Sequence, residues 1–154
     1  MTQLQDILAA HPFFEALENA HLELLVGCAR NVRFPRDTYL FHEGEEANDF
    51  YLLRFGRVAL EMVVHARPVL VTTLEPGEVV GWSWLVPPHH WHFSVRAIEL
   101  TRAIALDGRC LREKCQADHD LGYELLRRFA HDIEQRLYRA WMQLVDIYGP
   151  AHGG

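Results

Sequence analysis

The stretch Phe41-His42-Glu43-Gly44-Glu45-Glu46-Ala47-Asn48-Asp49-Phe50-Tyr51-Leu52-Leu53-Arg54-Phe55-Gly56-Arg57-Val58 decides the fold of this chain. Residues 50–55 form an aromatic and apolar run of the kind that is typical of a β-strand. Gly44 and Gly56 stand on either side of this run, where tight turns favour a residue that tolerates positive φ. The stretch therefore predicts a strand, a turn and the beginning of a second strand.

The same pattern continues on both sides of this stretch, from residue 31 to residue 107. Short β-rich runs alternate with Gly and Pro at a spacing of roughly 8–12 residues. The runs cover residues 39–41, 50–55, 58–64, 69–74, 93–97 and 103–106. Many short strands at this spacing predict a closed all-β unit, either a β-barrel or a jelly roll.

The two ends of the chain have a helical pattern instead. Apolar residues at helical spacing predict short helices near the N-terminus, and a short helix followed by a long one near the C-terminus. Asp118 is a suitable N-cap for the long helix, and Gly149-Pro150 would end it. We interpret 1–30 as an N-terminal helical segment, 31–107 as a β-barrel, 108–148 as C-terminal helices and 149–154 as a tail, all within one domain.

The long helix carries a regular apolar stripe. Its members alternate at spacings of four and three residues, as the core positions of a coiled coil do. They are Leu126, Ala130, Ile133, Leu137, Ala140, Leu144 and Ile147. We expect this seam to form the interface of a homodimer. The alternative is a single amphipathic helix that packs on its own domain.

Composition narrows the functional classes. The chain has 15 Lys and Arg against 21 Asp and Glu, a net charge of −6, which argues against wrapping nucleic acid or binding anionic lipid. The chain contains no apolar run of about 20 residues that could span a bilayer, and its N-terminus does not resemble a signal peptide. Cys28, Cys110 and Cys115 are odd in number and scattered, which favours reduced thiols and a cytoplasmic location.

Taken together, the Phe41–Val58 stretch and two later segments resemble the cyclic nucleotide-binding domain family, in particular the sensor half of Crp/Fnr-type regulators. The first later segment, Leu74-Glu75-Pro76-Gly77-Glu78-Val79-Val80-Gly81, is similar to the family's approach to its phosphate-binding cassette. The second, Ser94-Val95-Arg96-Ala97, is similar to the strand that leaves the cassette. The resemblance covers roughly residues 10–148. It implies a jelly-roll barrel framed by helices, with a ligand pocket between the barrel and the long helix.

The resemblance also implies a set of ligand-binding devices in the cassette, and this sequence departs from them. Family members that bind ligand carry a Glu after the cassette Gly, for the ribose, and an Arg followed by Ser or Thr, for the phosphate. Here Gly81 is retained, but Trp82 stands at the Glu position and Trp91 and His92 stand at the Arg and Ser/Thr positions. Indole is only a donor, and neutral imidazole does not replace a guanidinium. These replacements argue against the usual mode of binding cyclic AMP or cyclic GMP.

The candidate pocket follows from the same alignment. It comprises Gly81, Trp82, Ser83, Trp84, His90, Trp91 and His92, together with Arg136 as the polar residue of the long helix best placed to meet a ligand. Its aromatic and imidazole groups suit a different small ligand. Alternatively, the Trp side chains fill the pocket themselves, and the protein acts by docking a partner. A genuine cyclic nucleotide binder with an altered cassette is a further alternative.

A metal-binding alternative rests on His90 and His92. An H-x-H pair places both imidazoles on one face of a strand, as in the metal sites of cupins. No carboxylate follows until Glu99, so the ligand set is incomplete. We therefore assign no metal and no catalytic residue.

The sequence thus predicts a mainly β, non-enzymatic regulatory module that senses a non-canonical ligand or docks a protein partner. We expect a cytoplasmic homodimer with no membrane association. We do not expect this chain alone to bind DNA, because no helix-turn-helix follows the long helix. No cofactor is assigned with certainty, and a cyclic nucleotide or another small molecule is the candidate ligand.

Overall fold

A computed structural model describes residues 3–149 of the chain. The predicted tail beyond residue 149 lies outside the described residues. Four α-helices flank eight β-strands, and a short 3₁₀ helix, Pro12–Phe14, follows the first α-helix. In chain order these are α1 (Leu4–Ala10), α2 (Asn19–Val26), β1 (Ala29–Phe34), β2 (Tyr39–Phe41), β3 (Asp49–Phe55), β4 (Val58–Val64), β5 (Arg67–Leu74), β6 (Val79–Val80), β7 (Ser94–Ala97), β8 (Thr101–Asp107), α3 (Gly108–Ala117) and α4 (His119–Tyr148).

The strands form two antiparallel four-stranded sheets, in the orders β1-β8-β3-β6 and β2-β7-β4-β5. This arrangement confirms the predicted jelly-roll architecture. The expectation of a closed barrel is wrong, because β1 and β6 remain as edges of the first sheet and β2 and β5 as edges of the second.

Gly56 lies in the turn between β3 and β4, and its conformation explains why a glycine is needed there. Its φ is +87°, and a Cβ atom there would lie 2.3 Å from the carbonyl oxygen of Leu100. Only glycine fits such a turn, because an L side chain would be strained and would overlap the neighbouring backbone.

Strand β3 lies between two hydrophobic clusters and supplies side chains to both. Phe50 and Leu52 pack among the helices in one cluster, whereas Tyr51 and Leu53 pack between the two sheets in the other. Successive side chains of a strand point to opposite faces, so a strand covered on both faces is apolar throughout. This explains why residues 50–53 show no polar alternation.

Helix α4 begins at the predicted cap, since the side chain of Asp118 accepts hydrogen bonds from the backbone N–H groups of Asp120 and Leu121. Its first half packs on the domain through Leu121, Leu125 and Phe129, which are buried. Every residue from 137 to 148 is exposed. We call this segment, 137–148, the arm.

The cysteines are not all free, so the expectation of three reduced thiols is wrong. Cys28 and Cys110 form a disulfide with a Cα–Cα distance of 5.6 Å, and Cys115 is a free thiol. The pairing of β1 with β8 places Ala29 opposite Leu106, which brings the residues just outside that ladder together. Because the two cysteines are 82 residues apart in sequence, their spacing could not reveal this proximity.

Candidate functional site

The cassette is the loop that connects β6 to β7, residues 81–93. It is built from turns and bends and contains no helix. Gly81 is the first residue of the cassette and has a φ of +97°. The indole of Trp91 lies where a side chain at position 81 would be. A Cβ atom at Gly81 would lie only 2.4 Å from Trp91 Cη2. The ring of Trp91 thus occupies the space that the glycine leaves open.

Two of the three cassette tryptophans are buried in the molecule's own core. Trp91 is 4% exposed and stacks on Phe41 with ring centroids 3.7 Å apart. Trp84 is fully buried, stacks on Phe50 at 5.2 Å and meets Phe129 of α4 edge to face. Large aromatic surfaces in this geometry dominate core packing. Trp84 and Trp91 therefore serve as core residues and are not open to a ligand.

Backbone hydrogen bonds close the cassette from a second side. In the loop that follows β2, the backbone N–H of Gly44 donates to the carbonyl oxygen of Trp91 at 2.8 Å. The backbone N–H of Trp91 donates in turn to the carbonyl oxygen of Glu45 at 2.9 Å. Ala47 N–H donates to His89 O in the same way. The N–H group of Trp91 is thus already used within the chain and is not available to an anion.

The histidines of the cassette lie at the surface. His90 and His92 are exposed and precede β7, so the expectation that they share one face of a strand is wrong. His90 Nδ1 lies 2.9 Å from the carbonyl oxygen of Pro88. Within residues 3–149, no group of three or more His, Cys, Asp or Glu side chains is arranged to hold a metal ion.

Ser83 lies between Trp82 and Trp84 in sequence and is buried. It is 3% exposed, and its hydroxyl has no hydrogen-bond partner among the described residues. Ser83 is therefore a packed residue in this structure, with its hydroxyl inside the protein.

Arg136 joins α4 to the cassette. Its guanidinium lies 5.5 Å from the ring centroid of Trp82, which is half-buried, and donates a hydrogen bond to the carbonyl oxygen of Val79. Asp132 pairs with Arg136 at 3.1 Å, one helical turn away. Burial lowers the pKa of Arg136 and raises that of Asp132, because each loses hydration. The structure thus brings Arg136 to the cassette, where it contacts protein groups.

The other arginine near the cassette, Arg96, is held in an ion-pair network. It contacts Glu61 on β4 at 3.1 Å and Asp37 at 3.1 Å, and Glu61 also accepts from the hydroxyl of Tyr39. Glu61 is buried, whereas the Arg96 side chain is 29% exposed, so the guanidinium compensates a buried carboxylate. Arg96 reaches this position because β7 pairs with β4 and brings the guanidinium onto the Glu61 carboxylate.

The open space beside Trp91 has the wrong charge for a phosphate. A shallow hollow of about 310 Å³ there is lined by Leu40, Phe41, Glu45, Glu46, Asn48, Asp49, Tyr51 and Trp91. Three of these side chains are carboxylates: Asp49 pairs with Arg30 at 3.0 Å, and Glu45 contacts His42 Nδ1 at 3.2 Å. A negative lining of this kind repels an anionic ligand.

Sequence reasoning missed a larger groove of about 650 Å³ between the N-terminal segment, the turn after β5 and α4. Its lining includes His21, whose Nδ1 is buried without a hydrogen-bond partner among the described residues, and Glu78, whose pKa burial raises. The groove is lined from three segments that lie far apart in sequence. No motif marks it, so only the folded chain reveals it.

The predicted dimer seam lies largely on the surface of this single chain. Leu126, Leu137, Leu144 and Ile147 are 55%, 46%, 50% and 58% exposed. Trp141, Val145 and Tyr148 of the arm are exposed beside them. Within the described residues, no helix has the length and apolar character needed to cross a membrane.

Known proteins resemble this chain in sequence. Residues 31–118 match the family model of the cyclic nucleotide-binding domain. The chain is 25% identical over 167 residues to a CRP-like cAMP-activated global transcriptional regulator of Mycobacterium tuberculosis. That alignment covers 98% of this chain and 75% of the regulator.

Solved structures share the fold. A candidate cyclic nucleotide-binding protein from Geobacter metallireducens superposes with a TM-score of 0.80 at 27% identity, covering 88% of this chain and 99% of that one. The sensor domain of the transcriptional regulator DNR from Pseudomonas aeruginosa superposes with a TM-score of 0.69 at 19% identity, covering 86% and 90% of the two chains, and shows the fold alone. The match of the family model over more than half of the sequence, on this jelly-roll framework, shows that the chain belongs to the cyclic nucleotide-binding domain family.

Proposed function

We propose that this chain is a regulatory module whose cassette is closed by its own side chains and which acts by associating through α4. The observation that carries the first half is the indole of Trp91 packed on Gly81, where a Cβ atom would lie 2.4 Å from the ring. A ligand that used this glycine would have to displace a side chain that is 4% exposed. Removing such an aromatic side chain from a core costs about 3–5 kcal/mol.

Charge supports the closed cassette. A buried phosphate needs a cation within contact distance, because desolvating an unpaired charge is expensive. Arg96 is paired with Glu61 and Asp37, and Arg136 is paired with Asp132 and contacts Trp82. Using either guanidinium for a phosphate would leave a carboxylate partner behind. We therefore expect neither cyclic AMP nor cyclic GMP to bind in the family's usual mode.

The arm supports the second half of the proposal. Its exposed apolar residues continue the same four-and-three alternation that begins at Leu126, which is the pattern by which a helix pairs with another helix. A second copy of this chain presents an identical seam, and a two-fold axis pairs such surfaces with each other. We therefore propose that the occupant of the seam is a second copy, in a cytoplasmic homodimer, and we assign the module no catalytic role.

The association is tested by sedimentation equilibrium on the whole chain. We expect a dimer at micromolar concentration, and Leu144→Glu should weaken it at least tenfold, because the change buries a charge in the seam. Gln143→Glu is the matched control, since it adds the same charge on the neighbouring position outside the seam. A parent chain that stays monomeric at 100 µM (roughly the upper range for weak dimers), or a Gln143→Glu variant that dissociates equally, would contradict the proposal. If the seam bound a different protein and not a second copy, that protein would be the occupant and the homodimer proposal would be wrong.

The closed cassette is tested by Trp fluorescence and thermal melting with cyclic AMP, cyclic GMP and cyclic dinucleotides. Cyclic AMP comes first, because the Mycobacterium tuberculosis relative is named as cAMP-activated. We expect no saturable quenching and no rise in Tm up to millimolar ligand. N-acetyl-tryptophanamide under the same conditions corrects for light absorbed by the nucleotides. Saturable quenching with a raised Tm at micromolar ligand would overturn the closed cassette and leave the dimer untouched.

A further inference from the structure

The disulfide between Cys28 and Cys110 joins two chain segments with unequal access to solvent. Cys28 follows α2 and is 6% exposed, whereas Cys110 lies in the first turn of α3 and is half-buried. A reagent that approaches this bond therefore meets the sulfur of Cys110 first. Access is one of the factors that decides which sulfur of a disulfide is attacked.

The position of Cys110 also favours its thiolate. Helix α3 spans Gly108–Ala117, so Cys110 is its third residue, at the positive end of the helix dipole. Lys114 lies one turn further on, and its ammonium group is near the Cys28 segment, since a Cβ atom at Gly27 would lie 3.6 Å from Lys114 Nζ. Asp107 opposes these groups, because its carboxylate accepts a hydrogen bond from the N–H of Cys110. Such surroundings make Cys110 the better nucleophile toward an oxidised thiol. When the disulfide itself is attacked, they favour Cys110 as the leaving group, so the choice of its sulfur there rests on its greater access.

The two sulfurs are held together by more than their own bond. Strand β1 pairs with β8 along its whole length, and Asp107 N–H donates to the carbonyl oxygen of Cys28 over 2.9 Å. Breaking the disulfide leaves these hydrogen bonds in place. The thiols would therefore remain neighbours, and the bond could form again without refolding of the sheet.

We propose that Cys28–Cys110 is a thiol–disulfide exchange site, at which Cys110 is the sulfur that reacts with low-molecular-weight thiols. An incoming thiolate attacks Cys110 Sγ, forms a mixed disulfide there and expels Cys28 as a thiolate, which takes a proton from water. A second thiolate then attacks the external sulfur of the mixed disulfide and releases Cys110. Two external thiols are oxidised to one disulfide while the protein disulfide is reduced to two thiols. Oxidation follows the same steps in reverse.

This proposal stands independently of the dimer and of the cassette. In a reducing compartment a bond of this kind is transient and reports the thiol redox state, whereas a structural disulfide needs an oxidising one. Reduction removes a cross-link between residues 82 apart, so the reduced chain should melt roughly 5–10 °C lower.

The test uses glutathione as the probe and the Cys115→Ser chain as the background, so that only the pair reacts. Cys28→Ser leaves Cys110 alone, and Cys110→Ser leaves Cys28 alone. With oxidised glutathione, intact mass measurement should show the adduct forming at least about tenfold faster on the Cys28→Ser variant, because Cys110 is more accessible and its thiolate is favoured. Equal rates, or a faster reaction on Cys28, would overturn the assignment of Cys110.

A second measurement leaves both cysteines of the pair in place, so it does not depend on the folding of the Cys28→Ser and Cys110→Ser variants. The Cys115→Ser chain is equilibrated with graded ratios of reduced to oxidised glutathione, and its thiols are then trapped by alkylation and counted. As the ratio changes, we expect the number of free thiols in the pair to change between two and none. Any mixed disulfide with glutathione should map to the peptide that contains Cys110. Two free thiols at every ratio, or a bond that glutathione never reduces, would contradict an exchange site.

Discussion

The cassette and the arm of α4 carry the same kinds of side chain in opposite environments. Trp84 is fully buried in the cassette, whereas Trp141 on the arm is 57% exposed. The cassette aromatics find their partners within the chain, on β2, β3 and α4. The exposed apolar side chains of the arm belong to neither hydrophobic cluster of the described residues. The contrast teaches that apolar composition alone does not separate a core from an interface.

The largest expected effect compares these two tryptophans directly. Trp84→Ala should lower the free energy of unfolding by about 3–5 kcal/mol, since it empties a fully buried site between Phe50 and Phe129. Trp141→Ala should change it by less than about 0.5 kcal/mol in a monomeric chain. Urea unfolding of both variants in the Leu144→Glu background, which removes association, measures the difference. Similar losses in the two variants would abolish the contrast.

A smaller effect should come from the contact between Gly81 and Trp91. Gly81→Ala should cost about 3 kcal/mol, because it adds left-handed backbone strain and a clash with the indole. In a Trp91→Phe chain the phenyl ring lacks the outer carbons that cause the clash, so about 1–2 kcal/mol should remain from strain alone. A double-mutant cycle by urea unfolding measures this coupling. Additive losses would show that Trp91 does not cover Gly81.

The smallest expected effect is a pH dependence of the unfolding free energy that comes from His11, which is buried. His11 Nδ1 accepts from Phe13 N–H, and Nε2 contacts the carbonyl oxygen of Leu53 at 3.1 Å, so the folded chain needs the neutral ring. Burial lowers the pKa of His11 from its ordinary value of 6.5. The unfolded chain therefore binds the proton more readily, and this contribution to stability is present above pH 6.5 and is lost as the pH falls toward the lowered pKa.

Unfolding free energies at pH 7.5 and 5.5 (a pH range on either side of the ordinary histidine pKa of about 6.5) check this prediction. The parent chain should lose more stability than His11→Gln on acidification, because the variant lacks this titrating ring. Since the other histidines are common to both chains, the difference isolates His11. An equal loss in parent and variant would place the pH dependence elsewhere.

Much of the fold could be predicted from local patterns. The run from Phe50 to Phe55, the turn at Gly56 and the cap at Asp118 each depend on a few neighbouring residues, and each lies where predicted. The ion pair between Asp132 and Arg136 follows equally from helical spacing. The family pattern also led to the cassette and to the departure from it at Trp82 and Trp91.

Most of the features that escaped prediction depend on contacts between distant segments. The Cys28–Cys110 bond needs β1 beside β8, and Arg96 meets Glu61 only because β7 pairs with β4. His90 and His92 do not lie on β7, because that strand begins only at Ser94. The large groove has no signal in sequence, since its walls come from three separate segments.

The sequence by itself determined the jelly-roll framework, the length of α4 and the replacement of the family's charged cassette groups by Trp82 and Trp91. Those features depend on periodicity, turn chemistry and residue identity, which are local. The tertiary structure alone decided that Trp91 covers Gly81, that the sheets remain open at their edges, and that the arm extends past the domain. These outcomes depend on which surfaces meet, and the identity of an apolar side chain does not specify which partner will bury it.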